Sequence, residues 1–425
     1  MTHIKPSRLA IRQGGWVAVH AVSLAIFAVV TTEMLPVGLM APIARSFGIS
    51  VGVAGLTISV PAIIAALFAP LILLMAGRLD RRQILAGLLA LLIAANLMAL
   101  FAASFAWLVF ARILVGFCMG GIWAIAGGLA PRLLASQSTN RATVQATVQA
   151  TLQATVQATA QPSVRSTARA TAIIFSGVAA ASVLGVPLGA LIESFFGWRA
   201  AFGAMATFSL IVLGLNLRTL PPLPVDQAID PARFQAALSH PLVLSGLLLT
   251  LLLVAGHFMA YTFITPVLLT LPDIPASSIS LLLFLYGSSG IVGNFFAGMM
   301  AARRVKTVIG VITCTLAAIL LCFAFGADNA LNATALLVIW GLAYGGVSVA
   351  LQTWMMKAAP GATEIVTALF VSVFNIGIAA GSFIGGGIVD RFDLQINLMA
   401  AASLAGLALT TLLLVTINQR QNHAA

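Results

Sequence analysis

Charge is what this chain most lacks. Only 7% of its 425 residues are charged, and ten of them are acidic, against about 25% charged in an ordinary soluble domain. With 61% hydrophobic residues and a mean hydropathy of +1.09, that scarcity excludes a soluble globular protein and leaves an integral membrane protein. Period-two alternation is missing as well. The apolar runs are near-continuous over about 20 residues or more, which excludes barrel strands and specifies helices. Cysteine is sparse: Cys118, Cys314 and Cys322 all fall inside apolar runs. Their spacing argues for neither a disulfide nor a metal site, and they read as small buried hydrophobes. A Walker lysine motif, HExxH, GxSxG and paired-cysteine spacings are all absent from the sequence. ATP-driven pumping and the usual hydrolytic chemistries are therefore not expected, nor is any metal or cofactor.

What is present is a succession of twelve apolar spans, starting near residues 17, 51, 84, 105, 170, 200, 243, 278, 307, 332, 363 and 396. The polar, basic first fifteen residues precede an apolar stretch too long for a cleaved signal, so it reads as the first span. Net charge is +11, but its distribution argues against nucleic acid as a partner. Seventeen of the 21 Lys and Arg fall in alternate loops and tails on one side, three on the other (Arg45, Arg199 and Arg391), and Arg112 lies within the fourth span. That bias places both termini in the cytoplasm.

Residues 219–241 (TLPPLPVDQAIDPARFQAALSHP) form the longest break in hydropathy and read as a cytoplasmic linker. It separates an N-terminal six-helix half, 1–218, from a C-terminal half, 242–425. The halves are copies. Pro36 and Pro42 recur as Pro266 and Pro272, an offset of 230. Gly77 and Arg82 recur as Gly298 and Arg303, and Gly116, Gly120 and Gly121 as Gly341, Gly345 and Gly346, offsets of 221 and 225. Gly185 and Gly189 recur as Gly381 and Gly385 at an offset of only 196. The fall from 225 to 196 marks about 29 extra residues in the first half, between spans 4 and 5. They are the low-complexity insert of about 141–169, whose five ATVQ-like units read as padding in a cytoplasmic loop. Internal symmetry of this kind marks transporters built from paired helical repeats.

Glu33, in TTEMLPVGLMAPIA, is a carboxylate inside a run of about 25 uncharged residues, where an acid costs roughly 2.5–3.5 kcal/mol. Pro36, three residues on, has no amide hydrogen and leaves the carbonyl of Thr32 without its helical partner. Glu33 is thus the candidate proton carrier, the alternative being a structural ion pair or a neutral acid. Arg112 is its natural counter-charge, although an arginine early in span 4 could also snorkel or pack. In GRLDRR, Gly77, Asp80 and Arg81 suit a gate between spans 2 and 3, with topological anchoring the alternative. Trp123, His257, Tyr261, Asn294, Gln352 and Asn375 are the polar or amphipathic side chains at depth that could line a substrate site; any one could instead be an interhelical hydrogen bond.

On these stretches the chain resembles the major facilitator superfamily. GRLDRR is similar to its signature loop between helices 2 and 3, without the glycine usual after the arginine. ARILVG resembles its helix-4 arginine motif, and GVPLG, residues 185–189, the helix-5 motif of its antiporters. TTEMLPVGL, LGVPLGALIESFFGWRAAF and APGATEIVTALFVSVFNIGIAAGSFIGG resemble the bacterial twelve-helix drug/proton antiporter branch. Within it the likeness is to sugar efflux transporters, with purine nucleoside efflux pumps and arabinose-induced exporters nearby. The resemblance implies proton-driven export of a small organic solute across the inner membrane, and a monomer is expected. A proton-coupled uptake symporter, or a sensor on a transporter scaffold, remains the alternative.

Overall fold

A computed structural model describes residues 8–75, 79–149, 164–223, 231–271, 274–326 and 329–424. Among these residues there are helices, turns and bends but no strand. Inside a bilayer the backbone can find hydrogen-bond partners only within itself, and uncharged runs of this length do so as helices.

Among the described residues, eleven helices are long and apolar enough to cross a membrane. They are span 1 (Trp16–Phe47), span 2 (Val51–Ile72), span 3 (Arg81–Leu100), span 4 (Phe105–Ala126), span 5 (Ser176–Phe196), span 6 (Trp198–Thr219), span 7 (Pro241–Tyr261), Ala276–Phe325, span 10 (Ala330–Ala358), span 11 (Ile365–Arg391) and span 12 (Leu394–Gln419). The 50 residues of Ala276–Phe325 would run about 75 Å, more than twice the bilayer's hydrocarbon core. They break at Arg304, whose φ of −132° and ψ of 53° are not helical. Arg303, Arg304 and Lys306 cluster at that break, so the stretch is spans 8 and 9, and the total is twelve.

The packing repeats between halves. Span 1 lies on span 5 as span 7 lies on span 11; span 2 lies on span 4 as span 8 lies on span 10. Span 3 lies on span 6 as span 9 lies on span 12, and the halves meet through spans 2 and 11 and through span 5 against the span 8–9 helix. The chain is therefore an all-α membrane protein of two pseudo-symmetric six-helix halves. The first and last described residues, Arg8 and Ala424, lie at one end, the termini end, because the number of crossings is even. Between spans 6 and 7 the described residues include a short helix, Pro231–Leu238, against spans 7 and 11. Gly77, Pro272 and residues 150–163 of the insert lie outside the described residues; the helices of spans 4 and 5 run into the insert, to Gln149 and from Val164.

Side chains such as Phe295, Phe296, Leu331 and Leu414 stand more than half exposed, an apolar outer surface that suits lipid. That surface also corrects one sequence expectation. Cys118 is buried, but Cys314 and Cys322 are exposed, since an apolar run in a bilayer protein does not distinguish core from lipid face.

The glycine pairs at offset 225 do the same work in each half. A Cβ on Gly120 would stand 2.8 Å from the Ala65 carbonyl oxygen of span 2, and one on its counterpart Gly345 would overlap the backbone of Gly290 in span 8. Backbone cannot step aside as a flexible side chain can. Gly345→Ala is expected to cost about 1–3 kcal/mol by overpacking, measured as a lower midpoint of thermal unfolding in detergent.

Candidate functional site

Arg112 is fully buried in span 4 and reaches two neighbouring spans. Its Nε donates to the Thr57 carbonyl at 2.7 Å, one terminal nitrogen to the Thr32 carbonyl at 2.8 Å and the other to the Glu33 carbonyl at 2.9 Å. Two of those acceptors are carbonyls that a proline four residues on has deprived of a helical donor: Pro36 for Thr32 and Pro61 for Thr57. The guanidinium, which keeps its charge and carries five donors in a planar fork, is suited to that task. A third proline follows the same rule. Pro70 frees the carbonyl of Ala66, and the Ser372 hydroxyl of span 11 donates to it at 2.9 Å, across the boundary between halves.

Glu33 is buried in the bundle, 5% exposed, rather than facing lipid. Arg112 binds its main-chain oxygen, while the carboxylate feels the guanidinium through space. Among the described residues that carboxylate has no hydrogen-bond partner. Asn96 joins the network by donating to the Thr32 hydroxyl at 3.3 Å.

The C-terminal half holds no counterpart of this charged pair. By the offsets above, Phe263 stands for Glu33 and Leu337 for Arg112. Span 7 breaks at Thr262–Phe263, and an amide, Asn397 of span 12, donates to the Met259 carbonyl at 2.7 Å. What this half offers instead is a ring cluster around His257. Tyr261 stacks on it from span 7, Tyr344 lies parallel to it at 8° from span 10, and Tyr286 of span 8 stacks on Tyr261. Trp340 donates its indole N–H to His257 Nδ1 at 3.1 Å. An indole nitrogen is a donor only, so Nδ1 accepts and the ring proton sits on Nε2, 3.5 Å from the Tyr286 hydroxyl. The Tyr344 hydroxyl is buried without a hydrogen-bond partner among the described residues and stands within electrostatic reach of Glu33. The two groups belong to different halves, Glu33 to span 1 and Tyr344 to span 10.

Of the residues singled out from sequence, the structure brings together Glu33 with Arg112 in one half and His257 with Tyr261 in the other. Asp80 caps span 3, accepting from Arg82 N at 2.8 Å and from Leu223 N at 2.9 Å, while the Arg81 amide donates to the Leu223 carbonyl. That loop thus ties span 3 to the segment after span 6; Arg81 is buried there. Asn375 is buried and donates to its own helix at Val371. Trp123 and Gln352 are half-buried, eleven residues past Arg112 and eight past Tyr344. Asn294 is exposed, among exposed Ile291, Val292, Phe295 and Phe296. Tyr286, Trp340 and Tyr344 were not among the sequence candidates. One signal could have found the two tyrosines: the whole chain has three, and all three are in this cluster.

Many solved structures share the fold. One is a bacterial homologue of the human lysosomal transporter Spinster, in an inward-facing, unoccupied conformation (TM-score 0.72, 16% identity, 96% of this chain and 97% of that one). Another is the nucleoside transporter NupG, as a point mutant (0.71, 15%, 93% and 99%). A third is the human organic anion transporter MFSD10 (0.63, 16%, 96% and 100%). The profile of the Major Facilitator Superfamily matches residues 22–382, and the chain belongs to that family of membrane transporters.

Proposed function

We propose that this transporter is a proton-coupled exporter of a small organic solute, neutral or cationic, such as a sugar, a nucleoside or an amine-bearing drug. It would sit in the bacterial inner membrane as a monomer with both termini in the cytoplasm, as the distribution of basic residues favours. The observation that carries this reading is the buried Glu33 carboxylate beside Arg112, without a hydrogen-bond partner among the described residues and within electrostatic reach of Tyr344 in the His257 ring cluster. A carboxylate held that way gains from taking either a proton or a solute's donor group, and it can exchange one for the other. The halves divide the labour. The N-terminal half contributes the proton carrier, with Arg112 biasing release, and the C-terminal half contributes ring faces, hydroxyls and an imidazole for the cargo. Three donors of Arg112 already serve carbonyls, which argues against an anionic cargo. Trp123, Gln352 and Asn375 would line the route, and the loop of Gly77, Asp80 and Arg81 would lock one state of a rocking cycle.

The test is a solute panel in inside-out vesicles, scored by collapse of an imposed pH gradient. Neutral and cationic solutes from these classes should discharge the gradient, and organic anions should not. A gradient untouched by any solute that the same vesicles exchange in counterflow would remove proton coupling from the reading.

A further inference from the structure

A second junction between halves lies at the end of the bundle opposite the termini. Span 2 begins there at Val51, with Ser50 as its N-cap: the Ser50 hydroxyl accepts from Val53 N at 3.0 Å. The first amides of a helix have no internal acceptor, and the positive end of the helix dipole attracts an anion. Here the anion comes from the other half. Asp390, at the end of span 11, accepts from Gly52 N at 2.9 Å with one carboxylate oxygen and from the Ser50 hydroxyl at 2.5 Å with the other. Backbone contact makes this possible. A Cβ on Gly52 would overlap both Gly386 O and the Asp390 carboxyl group, and one on Gly386 would stand 2.7 Å from Gly52 O. Thr265 adds a bond to the Val37 carbonyl at 3.1 Å, from the C-terminal half to span 1.

We infer that Asp390 is a positioning residue for the transport cycle: its carboxylate caps span 2 in trans and latches the halves shut at the end opposite the termini. To open the central site toward that end, Gly52 must leave Gly386 and both bonds to Asp390 must break. The latch therefore biases the equilibrium between the two access states, and it does so whichever ion or solute drives the cycle.

The experiment places spin labels at Val53 and Phe392, both exposed, in full-length protein lacking its three native cysteines, and reads their distance distribution in lipid. The short-distance population should dominate in the parent. In Asp390→Ala the long-distance population should rise roughly fivefold relative to it, the ratio set by loss of one good helix cap. Asp390→Asn, which keeps an acceptor but no charge, should fall between. Gly52→Ala, which leaves the carboxylate in place, should shift the population the same way by prying the backbones apart. Unchanged distances in both Asp390→Ala and Gly52→Ala would overturn the latch, as would a fall in thermal stability without a shift in distance. Because distance is read and not flux, the outcome is independent of the proposed proton coupling.

Discussion

Glu33→Gln should reduce proton-driven transport to the background of transporter-free membranes while leaving solute counterflow running. Gln keeps the shape and hydrogen-bonding reach of the side chain but cannot release a proton. Counterflow needs the halves to rock with cargo bound, and that requires no change of protonation if the amide mimics the protonated acid. The same change should leave thermal stability equal or slightly higher. A buried carboxylate without a hydrogen-bond partner is costly to keep charged, and an amide in its place costs less. The paired measurement matters. Loss of both activities would point to a structural role, and full proton-driven transport in Glu33→Gln would remove Glu33 from the mechanism.

The architecture was legible because it follows from bulk properties. Runs that exclude charge must be helices in lipid, and repeats at near-constant offsets must pack alike. The N-terminal part of the site was legible for a sharper reason. Pro36 orphans the carbonyl of Thr32 by simple counting, and in a bilayer such a carbonyl needs a donor. The same counting from Pro61 reaches Thr57, and from Pro70 reaches Ala66; both acceptors are met by side chains from other spans. The C-terminal part was harder to read. Tyr286, Trp340 and Tyr344 sit in runs apolar on every side, where no period separates a face toward lipid from a face toward the partner half. Asn294 and Asn375 show the same limit. Both are amides at depth, yet Asn294 is exposed and Asn375 is buried against its own helix.

Arg112→Met should destabilise the protein by about 2–6 kcal/mol, because two carbonyls orphaned by proline would each lose a donor at about 1–3 kcal/mol. Removing a buried cation returns part of that cost, so the lower end of the range is the firmer expectation. Arg112→Lys should not restore stability. A single ammonium is a point charge, whereas the three carbonyls are met by three separate nitrogens of the guanidinium. The decisive comparison restores the missing donor in the backbone instead. Pro61→Ala gives span 2 an amide hydrogen four residues beyond Thr57, so the Thr57 carbonyl no longer depends on Arg112. In the parent that change should be nearly neutral or mildly destabilising, since the carbonyl is already satisfied. In the Arg112→Met background it should recover about 1–3 kcal/mol, a coupling that a double-mutant cycle on thermal or denaturant unfolding would resolve. Pro36→Ala should do likewise through Thr32. If either proline change costs the same with and without the arginine, then Arg112 is not acting on that carbonyl, and its burial must be explained by the nearby Glu33 charge alone.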